Sequence, residues 1–461
     1  MPYCAAPVPS LLRVAPIVSF IAAAAVPFAC GGSGGSSTSS HDASDDNPSL
    51  PRHFEAGASE EAPAADAPDE YVAQAAHCAR TTDAGLPAPF DAGGDALPDV
   101  IAPPQVLSFG GSTLAAATLV SVTFAGDALA DPLDDFVASV GCTSYWRTIG
   151  SDYGVGDAVA STPARLAEAA PAAITDATIR NWLAKKIETG DPAFPRPAPG
   201  TVYVLWYPDG SVITAQGSTS CRDFGGYHQG GQLNDGTLFS YAVVPRCRGD
   251  DQSGLAALTL AASHELIEAC TDPQPDSVPA YSFPDANHIG WALFAGAEVG
   301  DMCEFDNDYA YVPPGFPWVV QRIWSNRAAS AGQTPCVPAA STAYFYAAAV
   351  ATDTATLDLL GGTPQSYAAV HIPVGTSGTV AVQLISNGSP GTIQLQALDP
   401  GVLAGRTPHL SLTLDSATAA SGATVHLTID KLSGDPSGVE PFLLEATMNG
   451  RQTLSWGVTS D

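Results

Sequence analysis

The stretch Ala261-Ala-Ser-His-Glu-Leu-Ile-Glu-Ala-Cys-Thr-Asp-Pro273 places one histidine and two glutamates among small and apolar residues. No proline interrupts the run upstream, and the final Thr-Asp-Pro ends it, so we predict a helix over about Leu255 to Cys270. His264 and Glu268 are four residues apart and lie one turn above each other on the same helix face. Two side chains at this spacing can bind one metal ion.

The residues around this pair indicate hydrolytic chemistry. Glu265 directly follows His264, which is the position of the general base in helices of the H-E-x-x-H type. Downstream, Glu298 and Asp301 are two carboxylates next to a cysteine, and either can supply a third ligand. The predicted site therefore has zinc held by His264, Glu268 and either Asp301 or Glu298, with Glu265 as the catalytic base.

Other interpretations of these residues stay open. One imidazole and two carboxylates cancel most of the charge of a divalent metal, so bound water is acidified less than in a site with two histidines. Calcium is therefore an alternative to zinc. His228 and His288 are further ligand candidates, although His228 is more typical of a hydrogen-bonded structural histidine. His264 and Glu268 could also form an ordinary ion pair on an exposed helix face.

The composition of the chain limits its partners. The 461 residues are enough for two or three domains, and 17 Lys+Arg against 47 Asp+Glu give a net charge of −30. Such a charge repels nucleic acid and anionic lipid, which excludes both as main partners. Charged residues make up only 14% of the chain, which also has 44 glycines and 39 prolines, a composition typical of turn-rich extracytoplasmic domains.

The N-terminal segment has the pattern of an export signal. An apolar run from Val14 to Ala29 is followed by Cys30 and a Gly/Ser stretch. We predict a signal peptide over residues 1–30 of the lipoprotein type, with the lipid on Cys30; an ordinary secretory signal is the alternative. Residues 31–103 have few large apolar residues and predict a disordered acidic tether. We expect a protein of the cell envelope, lipid-anchored or secreted, that touches the membrane only through the anchor.

Export permits disulfides, and six cysteines fall between residues 142 and 336. Their connectivity cannot be read from the sequence, and the absence of C-x-x-C spacing argues against a structural zinc knuckle. The disulfide candidates are Cys142, Cys221, Cys247, Cys270, Cys303 and Cys336.

Two folded regions follow the tether. Residues 104–338 mix strand patterns (118–125 and 201–207) with helix patterns (131–140 and 176–188), which predicts an α+β, or mixed α/β, catalytic domain. Residues 340–461 contain short alternating runs separated by Gly, Asn, Asp and Pro, which predict an all-β, antiparallel sandwich as an accessory domain. The predicted strands are 367–374, 380–386, 392–398, 410–414, 424–430, 441–447 and 453–458.

An ordered set of residues between about 105 and 337 resembles the exordium-like (phosphate-induced protein) family and its bacterial secreted relatives. Asp272 departs from the pattern, because plant members tend to carry Asn there. The resemblance implies an extracellular protein with a zincin-like helix, but no particular activity. The matching pieces are His264-Glu-Leu-x-Glu268, Thr271-Asp-Pro273, Trp291, Glu298-x-Gly-Asp-x-Cys303, Gln321-Arg-Ile-Trp-Ser-Asn326 and the pair Cys221 and His228.

Two functions from different classes are consistent with these observations. The first is an extracytoplasmic, monomeric zinc metalloendopeptidase that cleaves a protein or peptide substrate. The second is a non-catalytic envelope lipoprotein that binds cell-wall glycan or a protein, in which the H-E-x-x-E helix holds a structural or calcium ion. The two differ at Glu265, because only the peptidase needs its carboxylate.

Overall fold

The computed structural model describes residues 77–78, 102–198, 200–247, 254–294, 296–340, 343–358, 364–388, 391–403, 406–434 and 437–461. The predicted signal peptide, Cys30 and nearly all of the predicted tether lie outside these residues. Within the described ranges, no helix is long and apolar enough to cross a membrane.

A mostly parallel sheet lies at the centre of the first folded region. Its strand order is β3-β2-β6-β10-β9, with β4 also paired to β2. The strands β2, β6 and β10 are parallel, and β9 is antiparallel to β10. The first ten strands are β1 (Val106–Ser108), β2 (Thr118–Thr123), β3 (Val159–Ala160), β4 (Ala164–Arg165), β5 (Ala173–Thr175), β6 (Thr201–Tyr207), β7 (Val212–Ala215), β8 (Ser218–Thr219), β9 (Tyr227–Gln232) and β10 (Leu238–Pro245).

Helices cover both faces of this sheet, as the wholly buried sequence of β6 requires. Val202, Val204 and Trp206 of β6 belong to a core cluster with α1, α2 and α4, whereas Tyr203 and Leu205 belong to a cluster with α3. The seven helices of this region are α1 (Ala130–Val140), α2 (Ser144–Gly150), α3 (Asp176–Glu188), α4 (Leu255–Thr271), α5 (Gly290–Phe294), α6 (Asp301–Glu304) and α7 (Asn326–Ser330). Its remaining strands are β11 (Tyr281–Pro284), β12 (Ala310–Tyr311), β13 (Val320–Gln321), β14 (Ile323–Trp324) and β15 (Cys336–Val337).

The mixed α/β class predicted for this region is confirmed. The helix α3 and the strand β6 have the predicted bounds, and α4 extends one residue beyond the predicted Cys270. Thr175 caps α3 by accepting a hydrogen bond from Thr178 N, and Lys185 and Lys186 lie in its last turn, where they interact favourably with the helix dipole. The residue before α4 is Gly254, so no side-chain hydrogen bond caps the start of this helix.

The C-terminal region contains two packed sheets, with strand orders β16-β19-β23-β21 and β17-β18-β25-β24-β20-β22. The seven predicted strands are present, but β18 pairs with β25 in parallel. The strand β16 was not predicted because its FYAAA sequence is buried on both faces and does not alternate. The elements are β16 (Phe345–Ala349), β17 (Asp353–Leu357), β18 (Gln365–His371), β19 (Ser377–Ser386), β20 (Thr392–Leu398), α8 (Pro400–Leu403), β21 (Leu410–Leu414), β22 (Thr418–Ala420), β23 (Thr424–Lys431), β24 (Val439–Met448) and β25 (Arg451–Ser460).

The sandwich and the α/β region share a continuous core. Tyr344 and Trp456 of the sandwich belong to the same apolar cluster as α1 and α4, and the Trp456 ring lies 6.1 Å from the ring of Trp291. At the seam, the buried Arg451 guanidinium forms an ion pair with Asp306, at 2.5 Å from Nη2 to Oδ2. The loop that follows α6 is therefore held by the sandwich.

Three disulfides join Cys78 to Cys142, Cys221 to Cys247, and Cys303 to Cys336. The prediction that Cys270 belongs to the disulfide set is wrong: among the described residues it is a free thiol, fully buried on α4. Cys78 takes part instead, although its surroundings in the sequence resemble a disordered tether. The bond fixes this point of the tether to the residues that follow α1.

Candidate metal centre

The helix α4 carries three ionisable side chains into the interior, since His264, Glu265 and Glu268 have no exposed surface. The helix packs against β9, β10 and β13. Glu268 Oε2 lies 3.0 Å from His264 Nε2. The i, i+4 spacing thus brings the two side chains together, as two ligands of one ion require. The alternative of an exposed ion pair is wrong because both side chains are fully buried.

A second histidine joins this pair from the sheet. His228 on β9 lies opposite Ala242 of β10, and its Nδ1 is 3.6 Å from Glu268 Oε2 and 3.5 Å from Glu265 Oε2. Two atoms bound to a tetrahedral zinc at about 2.0–2.1 Å are about 3.3 Å apart. The distances from Glu268 Oε2 to the nitrogens of His264 and His228, 3.0 and 3.6 Å, lie on either side of this value.

Both predicted carboxylates of the third-ligand position lie at this centre, but in different places. Asp301 Oδ1 is 3.5 Å from His264 Nε2, while Asp301 Oδ2 accepts a hydrogen bond from Glu298 N. Glu298 Oε1 lies on the other side of His228, 3.6 Å from its Nε2. Asp301 therefore lies near His264, one of the two ligands on α4. Glu298 lies near Nε2 of His228, whereas Glu268 lies near Nδ1 of the same ring.

Two overlapping sets of ligand atoms could hold a metal, and both include Glu268. One set is His264, Glu265 and Glu268; the other is His228, Glu268 and Glu298. The remaining candidate, His288, forms an ion pair with Asp285 at 2.8 Å, at the start of α5.

Glu265 has an environment unlike that of its neighbours. Its two carboxylate oxygens form no hydrogen bond to any residue that the structure describes. A Cβ at Gly226 would lie 2.9 Å from Glu265 Oε1, so only glycine leaves room for the carboxylate there. Burial raises the pKa of Glu265 to about 7, although His228 and His264 act to lower it.

The centre holds more acidic groups than basic ones. Burial is the largest influence throughout, and it raises the pKa of Glu298 and Glu304 well above the usual range. For Glu268 the two histidines outweigh burial and lower the pKa to about 2. Burial acts to lower the pKa of each histidine, but the carboxylates raise it well above the usual range. The six buried carboxyl groups are Glu265, Glu268, Asp272, Glu298, Asp301 and Glu304.

Buried carboxylates are costly unless positive charge compensates them, by several kcal/mol for each ion. The two histidines provide at most two positive charges for the six carboxyl groups of this cluster. A divalent cation between the ligand atoms would compensate those carboxylates that remain ionised, and the donor set fits one. The residues present therefore agree with a metal centre.

The backbone of Gly300 packs directly against the side chains of His264 and Glu268. A Cβ there would lie 2.7 Å from His264 Cε1 and 2.8 Å from Glu268 Oε1, closer than real side-chain contacts allow. We predict that Gly300→Ala lowers the affinity for a metal ion by about tenfold or more, because the methyl group displaces both ligand side chains. Competition with a chromophoric chelator measures this. Gly434→Ala is the control, since the atom nearest its Cβ is a Val374 methyl at 3.1 Å; an unchanged affinity in Gly300→Ala would contradict the prediction.

Two contributors are not in the predicted ligand set. The sequence makes His228 a further candidate and favours a hydrogen-bonded structural histidine, and its Nε2 does lie 3.2 Å from Asp272 O. Its place beside α4 depends on the pairing of β9 with β10, which the sequence does not show. Gln321, named only within the family resemblance, lies on β13 with its Oε1 3.1 Å from His264 Nδ1.

No protein-family model matches the chain, and no curated protein matches it. Among solved structures, a chimeric titin Z1Z2 functionalised with a KLER exogenous peptide from decorin is 17% identical over 20% of this chain and 83% of that chain, with a TM-score of 0.14. A twitchin kinase fragment of C. elegans, with kinase and immunoglobulin domains, is 12% identical over 20% of this chain and 18% of that chain, with a TM-score of 0.12. Overall similarity this low supports no conclusion about fold or function.

Proposed function

We propose that the α/β region is a zinc-dependent hydrolase, and that the protein is an exported metalloendopeptidase of the cell envelope. The observation that carries this proposal is that Glu268 Oε2 lies near one nitrogen of each histidine, 3.0 Å from His264 Nε2 and 3.6 Å from His228 Nδ1. Two imidazoles and one carboxylate form a donor set used by zinc peptidases. The second histidine also removes the objection that two carboxylates and a single imidazole would weaken the acidifying effect of the metal.

Zinc at this position would lower the pKa of a water molecule and polarise the carbonyl of a peptide bond. Glu265 then acts as the base that takes the proton from the water and later passes it to the leaving amine. Its carboxylate is suited to this role because no hydrogen bond to a described residue occupies it. The ring of His228, 3.5 Å away, keeps the carboxylate beside the ligand atoms.

Export and the family resemblance belong to the same proposal. Three disulfides support an oxidising compartment outside the cytoplasm, which agrees with the predicted signal peptide. A lipid on Cys30 and membership of the exordium-like group are proposed on the sequence features given above.

One observation favours a second function, a structural metal site in a non-catalytic envelope protein. The ligand side chains are fully or almost fully buried, and Asp301 Oδ1 lies 3.5 Å from His264 Nε2, where it could act as a fourth protein donor. Four protein donors close a zinc site to water, as in structural sites. In this case Glu265 would have no catalytic role.

The experiment that tests the hydrolase proposal uses the full exported chain and a mixture-based peptide library. We expect zinc-loaded protein to cleave peptides, a chelator to stop cleavage, and added zinc to restore it. Chelation should not release the disulfides, so the recovery distinguishes metal loss from unfolding. A zinc-loaded protein that cleaves no member of the library would favour the structural site.

A further inference from the structure

A closed set of hydrogen bonds connects the two ligands of α4 through Gln321. His264 Nδ1 is 3.1 Å from Gln321 Oε1, and Gln321 Nε2 donates to Gly300 O at 2.8 Å. The N–H of Gly300 in turn donates to Glu268 Oε1, also at 2.8 Å. All three side chains are fully buried, so water does not compete for these bonds.

The chemistry of these groups fixes where the hydrogens are. The carbonyl of Gly300 can only accept, so the amide N–H₂ of Gln321 faces it and Gln321 Oε1 faces His264. Gln321 Oε1 also only accepts, which requires that His264 Nδ1 carries a hydrogen. In the neutral ring, His264 Nε2 then has a lone pair directed at Glu268 Oε2, 3.0 Å away. These two acceptors face each other, an arrangement that is favourable when a cation lies between them.

We infer that Gln321 is a positioning residue for the zinc centre: its amide holds His264 in the tautomer whose Nε2 binds the metal, and it fixes Glu268 through the Gly300 peptide. The inference rests on the zinc centre of the proposed function and adds the residue that prepares it. Hydrogen bonds to the second nitrogen of a ligating histidine set its orientation and basicity. Asn326, at the other end of the segment 321–326, has a different set of contacts. Its Oδ1 accepts a hydrogen bond from Val106 N, and its Nδ2 donates one to Val106 O.

The backbone at Gln321 is held independently of its side chain. Its N–H donates to Ser263 Oγ at 2.9 Å, and its carbonyl accepts from Tyr145 Oη at 2.8 Å. A substitution at this position therefore changes the contact with His264, while the backbone bonds that hold β13 to Ser263 of α4 and Tyr145 of α2 remain.

Two substitutions in the full chain test the inference through zinc affinity, measured by chelator competition, and through thermal unfolding. Gln321→Leu removes the acceptor, and we expect zinc affinity to fall about 10- to 100-fold. Gln321→Glu keeps an acceptor for His264 Nδ1–H, and we expect it to recover most of this loss, although it cannot donate to Gly300. Gln274→Leu is the control: it removes another buried amide, which donates to Phe239 O at 2.9 Å, and should leave zinc affinity unchanged.

Wild-type zinc affinity in Gln321→Leu would overturn the inference and leave the proposed function standing. Equal losses in the Leu and Glu variants would also overturn it, because a purely structural role would make the two changes equivalent. A wild-type protein that binds no zinc would overturn the proposed function together with the inference.

Discussion

Replacing Glu265 with glutamine is expected to lower kcat for peptide hydrolysis by a factor of about 10²–10⁴. The amide has nearly the same size as the carboxylate but cannot take a proton from water. The hydrogen bonds that position His264 and Glu268 do not involve Glu265, so zinc content should stay at the wild-type level. Stability should change little, because a neutral amide of nearly the same size replaces the fully buried carboxyl group, while the ion pair with His228 at 3.5 Å is lost.

The measurement is kcat on a cleaved library peptide, with zinc content and thermal unfolding determined on the same samples. Glu445→Gln makes the same chemical change at a partly buried carboxyl group on β24 of the sandwich, and it should leave all three quantities unchanged. Turnover that survives Glu265→Gln, with zinc present, would contradict the catalytic role and favour the structural site.

Replacing Arg451 with methionine is expected to lower the free energy of unfolding by about 3–5 kcal/mol. Arg451 and Asp306 are 4% and 6% exposed, and two N–O contacts join them. Without the guanidinium, Asp306 is a buried carboxyl group with no cationic partner at the seam between the two regions. Burial already raises the pKa of Asp306 to about 6 in spite of Arg451, so the uncompensated group is costly.

Urea denaturation of the full chain measures this loss. The double variant Arg451→Met with Asp306→Asn should recover part of the stability, since it removes both charges. Because Asp306 follows the residues of α6, we also expect weaker zinc binding in the single variant. A loss below about 1 kcal/mol, the range of exposed pairs, would mean that the sandwich is not linked to the α/β region through this contact.

The parts of the structure that follow local patterns could be predicted from the sequence. The helix α3 has an apolar face at helical spacing, and the strand β6 is a short apolar run between turns, so both were placed with correct bounds. The pair His264 and Glu268 needed only the helix α4, because their relation is fixed by one helical turn.

The rest depended on contacts between distant segments. His228 reaches the centre only because β9 pairs with β10 beside α4, and Gln321 reaches it only because β13 packs on the same helix. The disulfide of Cys78 joins residues 64 apart, across a segment whose composition indicates disorder. The ion pair between Arg451 and Asp306 joins the sandwich to the α/β region. The sequence patterns of these two regions are separate and do not indicate this contact.

Metal content is the most direct test of the central claim that His228, His264 and Glu268 hold one zinc ion. Elemental analysis of the purified full chain should find one zinc per molecule, and His264→Ala and His228→Ala should each lose it while circular dichroism shows a retained fold. Calcium in place of zinc, no metal in the wild type, or zinc retained by either histidine variant would contradict the account.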